Sequence, residues 1–240
     1  MWAWTFRGRG PDAPVHVLSV LPPHGSAFVI EEAPQVSPDG RRLAFVGYDA
    51  AGTRLLYLRA LDAVAVGQSL ADTDGASMPF WSPDGAWLGF FAQGKLKKIE
   101  VATARIQTLA NAPGPRGGTW SRDDVIVFVP NPGGGLYRMS ASGGRVTPVA
   151  TGTSLHTGSW YPSFLSDGRH FLFFGHENGQ PEKAAVYAGS LDDGTAKRIV
   201  SARSGAIYAE PGYLLFWRDG TLMAQAFDER TLESAGIPWP

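Results

Sequence analysis

Four side chains are the best candidates for chemistry in this 240-residue chain: Arg116, His156, Trp160 and Tyr208. A guanidinium and an imidazole beside flat aromatic faces suit the capture of a peptide or a sugar rather than bond breaking. Asp74, Ser77, Met78, Thr119 and Tyr161 occupy comparable places and complete a candidate binding mouth. Patterns that carry catalysis are missing from the sequence. There is no Gly-x-Ser-x-Gly nucleophile elbow, and no His-Arg-Asp or Asp-Phe-Gly of a kinase. The histidines (His16, His24, His156, His170, His176) have no His-x-x-x-His spacing, and there is no cysteine, so no metal site and no cofactor is expected. Asp72-Thr73-Asp74-Gly75 and Asp192-Asp193-Gly194 lack the later Glu of a calcium loop and read as hairpin turns. Pro132-Gly133-Gly134-Gly135 is followed by neither a helix nor a lysine, so it is a loop and not a phosphate cradle.

These residues must be positioned by short strands. Gly 30 and Pro 18 make one residue in five, well above the roughly one in eight of average usage, and such punctuation breaks helices. Hydrophobic residues at 44% supply a core, and aromatics at 12% favour strands. A formal charge of -1 argues against a nucleic-acid surface. No stretch reaches the ~18 apolar residues of a membrane span. Residues 1–14 read as a linker or, from Trp2, Trp4, Phe6 and Arg7, as the exit of a membrane helix that the chain does not itself contain.

One phrase recurs. Val36-Ser37-Pro38-Asp39-Gly40, Trp81-Ser82-Pro83-Asp84-Gly85, Trp120-Ser121-Arg122-Asp123-Asp124 and Phe164-Leu165-Ser166-Asp167-Gly168 are each followed by an apolar run, and Ala209-Glu210-Pro211-Gly212 is a degraded fifth copy. The shared Asp falls at 39, 84, 123 and 167, the ~40–45-residue period of a four-stranded propeller blade. In the phrase, Pro presets φ, Asp accepts backbone amides and Gly takes the left-handed position, which makes a hairpin turn. The expected fold is therefore all-β: a β-propeller of four-stranded antiparallel blades over 15–240, with five blades at about 25–74, 75–113, 114–155, 156–204 and 205–240. Gly236-Ile237-Pro238-Trp239-Pro240 reads as stopping where the fifth outer strand should begin. Two arrangements then stand open. Either residues 15–21 complete blade five in a small ring, or the chain is an incomplete part of a larger array. Trp81, Trp120 and Phe164 read as packing between blades. Asp74 and Glu210 are the only carboxylates leading into inner strands, and they stand far apart in the ring, which argues against a glycosidase pair.

The Ser-Pro-Asp-Gly-x-x-Leu-x-Phe phrase resembles the WD-repeat-like propellers of the TolB type. A narrower likeness rests on Phe80-Trp81-Ser82-Pro83-Asp84-Gly85, Gly89-Phe90-Phe91-Ala92-Gln93-Gly94-Lys95-Leu96, Arg116-Gly117-Gly118-Thr119-Trp120 and Pro211-Gly212-Tyr213-Leu214-Leu215-Phe216. These resemble the extracytoplasmic propeller that follows the membrane helix in bacterial transmembrane serine/threonine protein kinases. The resemblance implies a non-catalytic domain at the outer or periplasmic face, binding a protein, peptide or small-molecule ligand at the mouth of its funnel. It implies no nucleic-acid partner, and membrane attachment only through an N-terminal span. A TolB-like periplasmic scaffold and the propeller of a prolyl-oligopeptidase-like peptidase are the alternatives.

Overall fold

A computed structural model describes residues 22–23, 25–29, 32–61, 67–152, 158–177 and 180–240. Among these residues the chain forms five antiparallel sheets and no helix. Blade one holds β1 (Ala27–Phe28) and β2 (Gln35–Val36), both paired with β3 (Arg42–Tyr48), then β4 (Arg54–Ala60) and β5 (Gln68–Ser69). β1 and β2 act as one interrupted inner strand, so this sheet too is four strands wide. Blade two is β6 (Ser77–Trp81), β7 (Trp87–Ala92), β8 (Lys95–Glu100) and β9 (Ile106–Asn111). Blade three is β10 (Gly118–Trp120), β11 (Val125–Phe128), β12 (Tyr137–Ser140) and β13 (Thr147–Pro148). Blade four is β14 (Gly158–Phe164), β15 (His170–Glu177), β16 (Gln180–Ser190) and β17 (Ala196–Ser201). Blade five is β18 (Ala206–Ala209), β19 (Tyr213–Arg218), β20 (Thr221–Asp228) and β21 (Glu233–Trp239). Each sheet follows chain order from inner to outer strand, as a series of hairpins must. The architecture is a five-bladed β-propeller.

The expectation that the chain stops short of a fifth outer strand is overturned. β21 pairs with β20 across Ala224↔Trp239 and Ala226↔Ala235, with a bulge between them. Pro238 is tolerated because β21 is an edge, where one face of the ladder has no partner to satisfy. Residues 15–21 lie outside the described residues.

The recurring turn works as its chemistry demands. The Gly40, Gly85 and Gly168 amides donate to Ser37, Ser82 and Leu165 carbonyls. All three glycines are left-handed, at φ of 71°, 66° and 73°. Blade three has Asp124 at this position and accepts φ 60° without glycine. The serine hydroxyl of the phrase is buried and bifunctional. Ser82 Oγ donates to Asp84 and accepts the Trp87 amide at 2.9 Å, and Ser37 repeats this with Asp39 and Arg42.

These contacts hold several carboxyls below the usual range. The Ser37 hydroxyl and Arg41 amide do so for Asp39, the Ser82 hydroxyl and Ala86 amide for Asp84, and the Thr195 amide and hydroxyl for Asp193. Burial pushes Asp167 up, but bonds from His170 and from the Arg169 and His170 amides outweigh it and leave it lowered. The unfolded chain, with Asp near its ordinary value of about 3.9, then binds more protons than the native state as the pH falls. The stabilisation is complete above that value and is lost as pH drops through the depressed native values. Urea midpoints should therefore be level from pH 7 to about 5 and fall steeply below about 4. Asp84→Asn should remove part of the acid-side slope. A midpoint unchanged down to about pH 3 would refute this account.

Successive blades pack face to face. The second strands read as nearly unbroken apolar runs because both their faces are covered. Ala44, Val46 and Leu56 meet Leu88, Phe90 and Ile99 between blades one and two. Phe91 and Leu96 meet Ile126, Phe128 and Met139 between blades two and three. Val127 and Leu136 meet Phe171, Phe173 and Tyr187 between three and four. Leu172 and Val186 meet Leu214, Phe216 and Phe227 between four and five. Side chains reach across each seam to the next blade's backbone. Arg42 donates to Gly85 O at 3.1 Å, Lys98 to Ala141 O at 2.7 Å, Arg122 to Asp167 O at 2.9 Å and Arg138 to Leu191 O at 3.2 Å.

Candidate functional site

The hairpin turns that leave the inner strands set the geometry of one mouth. The common hydrogen-bond frame of those turns makes Val36, Trp81, Trp120, Phe164 and Tyr208 equivalent, each one residue before the turn's first carbonyl. Four of the five are aromatic. The last four line an open bowl of about 370 Å³ to which every blade contributes, Pro38 doing so for blade one. Trp81 and Trp120 are only 8% and 9% exposed, so each ring packs in a seam and shows an edge to the bowl. Trp81 Nε1 donates to Gln35 O at 3.0 Å, and Tyr208 lies edge-on to Phe227. Thr119 sits among them, its hydroxyl accepting the Phe164 amide at 3.1 Å. Arg122 and Glu210 place opposite charges on an exposed rim with Ser166. Burial, with the Glu229, Glu210 and Asp228 carboxylates beyond it, pushes the Tyr208 phenol up, so it remains a proton donor at neutral pH.

The remaining predicted site residues among those described lie at the other end of the inner strands. Arg116 precedes β10, and its guanidinium lies 5.4 Å from the centre of the Trp160 ring. Trp160 Nε1 donates to Pro132 O at 2.8 Å, and its ring lies tilted against that of His176, the centroids 4.2 Å apart. The Arg116 carbonyl accepts the Tyr161 amide at 2.8 Å. The structure thus brings Arg116 and Trp160 together, but as a clasp between blades three and four. Ser77 donates to Phe91 O at 3.3 Å, and Asp74 is exposed in the turn before β6. His156 lies outside the described residues. The candidate set therefore divides: Thr119 and Tyr208 at the bowl, Asp74, Ser77, Arg116 and Trp160 at the opposite end.

Glu32 carried no signal in the sequence. Its carboxylate pairs with Arg54 at 2.6 Å and accepts the Met78 amide at 2.6 Å. Met78 needs that acceptor because it is left-handed, at φ 49°, where β6 bulges. Tyr161, at φ 55°, occupies the matching bulge of β14. Both precede a proline, so only tertiary contacts fix these conformations.

A smaller cleft of about 250 Å³ opens between blades two and three. Lys98 is buried there, 4.4 Å from the Trp87 ring centre and 5.7 Å from that of Trp120. Burial pushes its ammonium down. Arg138 makes the matching bond one blade on, so Lys98 is part of the seam rather than a nucleophile in waiting.

No group of three or more His, Asp or Glu side chains placed to hold a metal occurs among the described residues. No helix among them is long and apolar enough to cross a membrane. No family model and no curated protein matches the sequence. Solved structures do match. TolB from Acinetobacter baumannii aligns with TM-score 0.67 and 15% identity, over 80% of this chain and 50% of that one. The fold is a TolB-like propeller. A protein described as TolB from Agrobacterium tumefaciens aligns at TM-score 0.59 and 19% identity, over 68% of this chain and 62% of that one. An oligogalacturonate lyase in complex with manganese aligns at TM-score 0.61 and 16% identity, over 89% of this chain and 66% of that one. This TolB-like chain spans about half to two thirds of the length of these proteins. At such identities the likeness concerns the fold.

Proposed function

We infer that this propeller is a non-catalytic binding domain that receives a protein or peptide partner in the five-blade bowl. The observation that carries this reading is the ring of equivalent aromatics, Trp81, Trp120, Phe164 and Tyr208, within a rim of opposite charges. Rigid aromatic edges lose little entropy on contact, and the rim charges set orientation. The sequence likeness to kinase-linked propellers supports its use as the sensor or interaction domain of a bacterial membrane-anchored serine/threonine kinase, at the extracytoplasmic face. The TolB-like fold supports a second reading, an envelope scaffold. Under the sensor reading, the open reading frame upstream of Met1 encodes a kinase domain and a single span; under the scaffold reading it encodes a signal peptide.

The bowl itself is tested with a phage-displayed peptide library selected on the immobilised chain. The best enriched peptide, titrated by calorimetry, should lose at least about tenfold in affinity on Arg122→Glu and on Glu210→Lys. Both side chains are exposed, and because Arg122 also bonds Asp167 O across the seam, the melting temperature of each variant is measured beside its affinity. Failure to enrich any sequence, or affinities indifferent to both reversals, would remove the bowl as the binding site.

A further inference from the structure

We propose that the cleft between blades two and three is a second binding site, built for a small zwitterion of the α-amino acid class. Two cations and two carboxylates line it, Lys98 and Arg122 with Asp84 and Asp124, together with the hydroxyls of Ser121 and Ser142. In a space of about 250 Å³, a ligand of one sign meets like charges as well as opposite ones. A molecule that carries both signs pairs with both sets. The volume lies below the ~300 Å³ at which pockets for drug-sized ligands begin, which suits a single amino acid. Trp120 and Arg122 belong to the walls of both this cleft and the bowl, so the two adjoin, but the site does not depend on what the bowl receives.

Lys98 is the fixed point of the site. It is 8% exposed, and its ammonium lies against the Trp87 ring, which the Arg105 guanidinium also approaches, to 5.5 Å. An ammonium has three protons to place. Among the described residues only one oxygen, Ala141 O at 2.7 Å, accepts from it. Packing across the seam accounts for the buried stem and for that one bond. It does not account for a buried charge that no carboxylate meets directly. Arg138, which makes the matching bond one blade on, is exposed and keeps water around its charge.

The opposite charge is present but held off. Burial pushes the Lys98 ammonium down, and the Asp124 carboxylate opposes this from a distance, since the two make no direct ion pair. Asp124 is kept in place by its left-handed backbone, at φ 60°, and by the Ser140 hydroxyl at 3.4 Å. Asp84 uses only Oδ1 in its turn, for the Ser82 hydroxyl and the Ala86 amide. Opposite charges that line one cleft without closing on each other are matched by a molecule that bridges them. Its carboxylate meets Lys98 and Arg122, and its ammonium meets Asp124 and Asp84.

Calorimetric titration of the full chain with each of the common amino acids tests this. At least one should bind with Kd below about 1 mM. Its amide lacks the carboxylate and its N-acetyl form lacks the ammonium, and each should bind at least about tenfold more weakly. Asp124→Asn, which a left-handed backbone tolerates, should abolish the preference over the N-acetyl form and keep the preference over the amide. Lys98→Met retains the buried stem and should do the reverse. A merely structural role for either residue would lower all three affinities alike, and the melting temperature of each variant is measured alongside. If Lys98→Met does not fold, Asp124→Asn alone decides. No amino acid binding below about 1 mM, an amide or N-acetyl form that binds as well as the amino acid, or preferences that Asp124→Asn leaves unchanged would overturn the proposal.

Discussion

Phe80→Ala should destabilise the propeller by about 4 kcal/mol, toward the upper end of the range for deleting a buried aromatic ring. The reason is what surrounds the ring. Phe80 is 7% exposed and pairs across the ladder with Gly89. A Cβ placed on Gly89 would lie 2.3 Å from the ring, and one on Gly118, in the next blade, 2.6 Å from it. The ring therefore fills the space that two side chains would otherwise occupy, on both sides of the seam between blades two and three. When it is removed, neither glycine has a side chain to swing into the void, and the backbone is held by its ladders. The residual cavity stays large, and cavity volume is what scales the penalty. In guanidinium unfolding the midpoint should fall with little change of slope, and the folded fraction's equilibrium constant should drop by about a thousandfold. A loss below about 1 kcal/mol would show that the seam collapses, contrary to this account.

The same seam shows why the fold was legible in the sequence and the site only partly so. Ser-Pro-Asp-Gly is a local instruction: its serine, aspartate and glycine satisfy one another within a few residues, so each copy forms wherever it occurs. Ser82, Asp84 and Gly85 need nothing from other blades to make their turn. Two intact copies and three altered ones, all at blade spacing, leave little freedom of architecture. Tyr208 illustrates the limit. Its copy of the phrase has lost the serine, so its place at the end of the inner strand, equivalent to Trp81, emerges only from the Gly212 amide bonding Ala209 O. The aromatic ring around the bowl was therefore visible in part, with Trp81, Trp120 and Phe164 assigned to packing and Tyr208 to binding. The structure gives each a seam side and a bowl side. Glu32 was not legible at all, since its role depends on a left-handed Met78 in another blade. The fifth outer strand was hidden by Gly236 and Pro238, which punctuate a chain in most settings but are compatible with an edge.

Gly89→Val carries the second large effect, and its sign should depend on residue 80. In the wild type, the new side chain has to displace a ring that cannot retreat, because Gly118 backs it in the next blade and Phe91 lies 6.2 Å away. Overpacking of this kind costs about 3 kcal/mol, far more than the strand preference of valine over glycine returns. In the Phe80→Ala background the obstruction is gone. Valine then occupies part of the void and stiffens β7, so the same substitution should stabilise by about 1 kcal/mol. The double-mutant cycle thus has an expected coupling near 4 kcal/mol, larger than most neighbouring pairs show. Phe171 and Gly189 repeat the arrangement in blade four, where a Cβ would lie 2.6 Å from the ring, and should repeat the reversal. Additive effects in both blades would mean that the rings can rotate out of their seams, and that the blades are held by something other than an aromatic ring laid across a bare backbone.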